Sequence, residues 1–169
     1  MTRSLDTVFD NARCHEDKLD STSVLVQSLL VDDKPKVALD RSSEVLRHIG
    51  EPVPEDLDGK AIRKEIIEIY KCVHRISPAS LNVIPLMADR LKIKAMHFLN
   101  LSLWSTSHQK SMLFAIVSCR MVRLTITHGK YPEMGRNKCL ICFHNLRHVI
   151  RLSVFKESPR SSTQSGLNF

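Results

Sequence analysis

Asp32-Asp33-Lys34-Pro35-Lys36-Val37-Ala38-Leu39-Asp40-Arg41-Ser42-Ser43-Glu44-Val45-Leu46-Arg47-His48-Ile49-Gly50 decides the fold. It contains the end of one helix, a turn and all of the next helix. Proline has no N–H and a fixed φ, so Pro35 ends the pattern before it and suits the first turn of the next helix. Beyond it, Ala38, Val45 and Ile49 form one stripe with Leu39 and Leu46 beside it, the spacing of a helix buried on one face. Gly50 stands where a C-terminal cap belongs. Upstream, residues 15–31 read as a helix with Leu19, Leu25, Val26, Leu29 and Leu30 as its apolar positions. Two helices across a four-residue turn lie antiparallel, so residues 15–48 form a helical hairpin.

The same reading extends along the chain. Glu51-Pro52-Val53-Pro54 is an extended connector, because each proline disfavours the helical region for its predecessor. Asp56 or Asp58 can cap a third helix at about 57–76. Its stripe is Ile62, Ile66, Ile69 and Val73, and Arg63, Lys64, Glu65, Glu68 and Lys71 form its wet face. Ser77-Pro78 ends it, and residues 81–85 are a short apolar link. A second hairpin spans 89–128, with helices at 89–104 and 109–128. The first carries Leu91, Ala95, Phe98, Leu99 and Leu103. The second is apolar on nearly every side through Phe114, Ile116, Val117 and Met121, which predicts the most enclosed element of the core. Nothing alternates with period two, so the expected fold class is all-α.

Composition narrows the function. The chain has 169 residues, 43 % of them hydrophobic, enough for a real core. Five glycines, none clustered, leave no phosphate-cradling loop. The longest apolar stretch, within 111–119, falls well short of a membrane span. No secretory signal is visible after the first residues. Cys14, Cys72, Cys119, Cys139 and Cys142 are odd in number and scattered, which predicts reduced thiols in a cytoplasmic setting. The net charge of +7 is uneven. Residues 130–169 hold seven basic and two acidic residues, a net +5, which leaves only +2 for residues 1–129. The basicity thus belongs to the tail, and no basic stripe interleaved with aromatics marks a nucleic-acid surface.

The candidate sites all read as structural. Cys139 and Cys142 with His144 and His148 after them suggest zinc, but zinc fingers place about twelve residues between the two pairs. On a helix over 138–152, at about 100° per residue, the cysteines and the histidines fall on opposite sides. His15, His48, His74, His97, His108 and His128 lie singly and read as surface or cap residues. Ser105-Thr106-Ser107 reads as the turn between helices, because no strand–turn–helix context presents a hydroxyl beside His108 as a nucleophile. The expectation is no catalytic residue, no cofactor site and no metal site. The tail should be an amphipathic helix over 138–152 and then disorder, and residues 1–14 a lead-in.

Three segments resemble one family. The run from Ala38 through Glu44-Val45-Leu46 and Ile49-Gly50 to Val53-Pro54 resembles its signature A-x(5)-EVL-x-x-LG-x-x-LP. Ile84-Pro85-Leu86-Met87-Ala88-Asp89, with Lys92, Ala95-Met96 and Leu99, is similar to LP-x-M-x-D-x-x-K-x-x-AM-x-x-L. Arg120-Met121-Val122-Arg123-Leu124-Thr125-Ile126-Thr127-His128-Gly129 is similar to x-MV-x-L-(S/T)-x-x-HG. The family is that of large signalling proteins with a STAND-type ATPase, often carrying serine/threonine or histidine kinase domains. Its tetratricopeptide-like helical region holds these motifs in this order. The resemblance covers about residues 9–129, and none of its motifs is catalytic. It implies an α-α superhelix of helical hairpins over 15–129, acting as a scaffold or protein-interaction module without enzyme activity. The partner would be a protein or a neighbouring domain, with no small-molecule substrate and no membrane. The absent ATPase and the atypical tail over 130–169 lead us to expect a truncated protein or partial gene model. The competing readings are a basic helical nucleic-acid-binding protein and a small metal-binding protein using Cys139 and Cys142.

Overall fold

The turn at 32–35 forms through a device that the proline alone does not announce. In the computed structural model, which describes residues 15–54, 58–76, 80, 83–107 and 112–132, helix α1 spans His15–Val31 and α2 spans Pro35–His48. Asp33 takes a φ of 55°, a left-handed conformation that aspartate tolerates better than most residues. The Lys34 N–H then donates to the Leu29 carbonyl at 2.9 Å and the Asp33 N–H to that of Leu30 at 3.3 Å, closing α1. Helix α2 ends the same way at Gly50, whose φ is 79°, with the Glu51 N–H donating to the Leu46 carbonyl at 2.8 Å.

Three further helices are described in full: α3 at Gly59–Arg75, α4 at Arg90–Ser107 and α5 at Met112–His128. Asp58 caps α3 by accepting from the Lys60 N–H, and Asp89 caps α4 by accepting from the N–H groups of Leu91 and Lys92. The described residues contain no strand, and the fold is all-α.

Packing order departs from chain order. Helix α2 lies on α1 and, most extensively, on α4; α4 packs on α5; and α3 packs on α5. Helix α1 therefore rests on both α2 and α4, and α5 and α3 follow on the far side of α4. One hydrophobic core takes in Ala38, Val45 and Leu46 of α2, Ala95, Met96, Phe98 and Leu99 of α4 and Ile116, Val117, Met121 and Val122 of α5, with α4 in the middle. Ile62, Ile66 and Ile69 attach α3, so the stripe read from the sequence is its buried face.

Four expectations are corrected. Helix α4 continues to Ser107, so Ser105 and Thr106 are not a turn. Both are buried, and their hydroxyls donate back to the carbonyls of Leu101 and Ser102 at 3.1 Å, which lets a polar side chain stay inside a helix. Helix α5 is the enclosed element expected, but Phe114 lies at its half-buried edge, and Phe98 of α4 is the fully buried aromatic. Glu65, read as solvated, is turned inward by arginines on α5. The folded body also runs past Gly129 to Tyr131, which is 3 % exposed.

That last extension rests on a backbone joint. The Met87 N–H donates to the Lys130 carbonyl and the Lys130 N–H to the Pro85 carbonyl, each at 2.8 Å. Gly129, at a φ of 110°, lies where an added Cβ would be 2.7 Å from the Pro85 oxygen and 2.9 Å from the Met87 nitrogen. Only glycine allows both that conformation and that approach. The helix expected over 138–152 and the segments 1–14 and 133–169 lie outside the described residues.

Candidate functional site

Two polar junctions stand out. The first centres on His97, in the middle of α4. The Ser23 hydroxyl of α1 lies 2.6 Å from its Nε2, and the Tyr131 hydroxyl, just beyond α5, lies 2.9 Å from its Nδ1. In the neutral imidazole one ring nitrogen donates and the other accepts, so the two hydroxyls take complementary roles. A hydroxyl beside an imidazole is the start of a nucleophilic arrangement, which also needs N–H groups aimed at a developing oxyanion. Ser23 sits in mid-helix, where the neighbouring amides are spent on helical hydrogen bonds. The geometry instead ties α1 and the segment after α5 to α4. The pair of Lys94 with Asp20 fastens α4 to α1, and the 2.5 Å pair of Lys92 with Glu51 fastens it to the connector after α2.

The second junction lies between α3 and α5. Glu65 Oε1 is 3.2 Å from Arg120 Nε and 3.4 Å from Arg123 Nη2. The Arg120 contact is an ion pair without hydrogen-bond alignment, since neither Glu65 Oε1 nor Arg120 Nε finds a hydrogen-bond partner among the described residues; the buried Ser118 hydroxyl also finds none. Cys119 is fully buried beside them. Burial, reinforced by the Glu65 carboxylate and opposed by Arg123 and Arg120, pushes its thiol up to about 12. At neutral pH it is a protonated thiol, which is neither a good nucleophile nor a good metal ligand.

The residues weighed in the sequence fall elsewhere. Cys14, Cys139, Cys142, His108, His144 and His148 lie outside the described residues. Cys72 is exposed on α3. His48 donates through Nδ1 to the Glu44 carbonyl at 2.8 Å near the end of α2, and His74 meets Tyr70 edge to face at 5.6 Å. No cluster of three His, Cys, Asp or Glu side chains among the described residues could hold a metal ion. No described helix is long and apolar enough to cross a membrane.

Sequence reading missed His97, Tyr131 and Glu65 as tethers. An apolar ring two residues past a C-terminal glycine was a usable signal for Tyr131, because such residues often fold back on the helix before them. For Glu65 the signal was Arg120 and Arg123, three residues apart on another helix, and it has meaning only once α3 is known to lie on α5. Comparison with protein-family models, with curated proteins and with solved structures finds no match for this chain.

Proposed function

We propose that the chain is a non-catalytic helical scaffold, a piece of the tetratricopeptide-like repeat region of a STAND-type signalling protein, which works by docking a protein or neighbouring domain. The observation that carries this reading is the joint between residues 85–87 and 129–130. Two of the three segments that resemble the family meet there: Gly129, which ends one, lies against the backbone of residues 85–87 in the other, and the next residue, Lys130, hydrogen-bonds to Pro85 and Met87. A packing role at this joint supports the reading, because the motifs in question carry no catalytic residue. The polar groups of the interior support the same reading, since those at His97 and Glu65 join helices to one another. In an α-α superhelix the hairpins α1–α2 and α4–α5 would be the stacked units. Helix α3 would be an accessory flanking the second hairpin, because its contact with α5 bypasses α2 and α4.

The test is the coding sequence on either side of this frame, and then expression of the longer chain. An upstream Walker-type loop, together with slower amide exchange on the surface of residues 15–132 when the ATPase is attached, is the expected result. An upstream region without such a loop, or exchange unaltered by the attached domain, overturns the reading.

A further inference from the structure

Helix α3 is asymmetric about its buried stripe. At about 100° per residue, Glu65 falls on one flank of Ile62, Ile66 and Ile69, where the α5 arginines meet it. On the other flank Ile67, Tyr70 and His74 form a seam at helical spacing. Ile67 and Tyr70 are each 40 % exposed, and His74 packs edge to face on Tyr70. Beside the seam runs a ridge of exposed lysines, Lys60, Lys64 and Lys71. Among the described residues, α5 is the helix on which α3 packs, so this flank faces no other described helix.

We propose that this seam docks an acidic amphipathic helix of a partner protein, its apolar side chains lying along Ile67, Tyr70 and His74 and its carboxylates along the lysine ridge. Helix-in-groove recognition reads anchors at this spacing, and the flanking charges choose the partner's sign. The ridge also argues against other occupants. The chain's own residues 130–169 carry a net +5 and would be repelled. A symmetric pairing of two copies through α3 would set ridge against ridge. A nucleic-acid backbone would leave the apolar seam without a partner, and two half-exposed apolar side chains bury too little to hold a membrane surface. The proposal rests on the scaffold reading but is tested apart from it: slower exchange within 15–132 in the longer chain would keep that reading even where the peptide below fails to bind.

The probe is a capped acidic peptide of about five helical turns, with leucines on one face and glutamates on both flanks. Its binding to the full chain is measured by fluorescence anisotropy. The expected result is at least about tenfold tighter binding than a scrambled peptide of equal composition. Ile67→Ser with Tyr70→Ser should abolish that discrimination. Lys60→Glu, Lys64→Glu and Lys71→Glu together should abolish binding and transfer preference to the lysine counterpart of the peptide. All five side chains are exposed, so the melting curves should match the parent's; if one set unfolds, the other decides. Equal binding of the scrambled peptide, or binding unchanged in a folded variant, overturns the proposal. So does binding confined to duplex DNA or to phosphatidylserine vesicles.

Discussion

The α4–α5 contact and the α3–α5 contact use the same helix and differ in kind. Toward α4, helix α5 presents a broad, dry apolar surface and meets Phe98, Met96 and Leu99, all fully buried. Toward α3 it meets three isoleucines, flanked by an ion pair in which Glu65 and Arg120 keep about a fifth of their side-chain surface in water and Arg123 nearly half. Burial of apolar area dominates folding free energy, whereas a partly wet ion pair adds little once desolvation is charged against it. The central pair should therefore open only with global unfolding, and α3 should open locally first.

The strongest test of that contrast is Phe98→Ala. Removing a fully buried aromatic typically costs ~3–5 kcal/mol, a large share of the stability of a domain this size. Denaturant melts should show it, and Phe114→Ala, at the half-buried edge, should lose clearly less. Equal losses would mean that the α4–α5 contact is not the core.

Gly129→Ala comes next. It forces a side chain into a left-handed conformation and against the backbone of residues 85–87, at an expected cost of about 1–3 kcal/mol. By the same joint, a chain ending at residue 132 should melt above one ending at 129, because the shorter chain loses Tyr131 and the two 2.8 Å backbone hydrogen bonds of Lys130.

Glu65→Ala should cost about 1–2 kcal/mol, below the range for a fully buried pair, because the arginines retain some access to water. Amide exchange is the sharper readout. Protection should fall over 59–75 and hold over 90–128. A uniform fall across all helices would erase the distinction between the two contacts.

The smallest effect concerns Cys119. Its folded pKa, about 12, lies above the 9.0 of an unperturbed thiol. The unfolded chain therefore loses this proton first, and the thiol's contribution to stability is full below pH 9 and declines as pH rises toward 12. Cys119→Ala should flatten the alkaline slope of the stability curve relative to the parent. In the native parent at about pH 8, below the ordinary thiol range, alkylation mapped by mass spectrometry should mark Cys72 and spare Cys119.

Local chemistry determined the elements. The apolar spacing of Ala38, Val45 and Leu46, the proline at 35, the glycine at 50 and the cap at Asp58 each act within a few residues, so the five described helices and the all-α class were legible without any tertiary information. The enclosure of α5 was legible as well, since a helix apolar on nearly every side has no face to give to water. Which helix lies beside which was decided by the tertiary structure alone. Apolar stripes are interchangeable at the level of pattern, and nothing in Ile62, Ile66 and Ile69 specifies α5 over α2 or α4. The roles of His97 and Glu65 depend on that choice. Each is an ordinary polar residue at the edge of a stripe until the fold brings Ser23 and Tyr131, or Arg120 and Arg123, within bonding distance. Hydrogen bonds and ion pairs between distant segments are short-ranged, so they become readable only after the long-range packing that creates them.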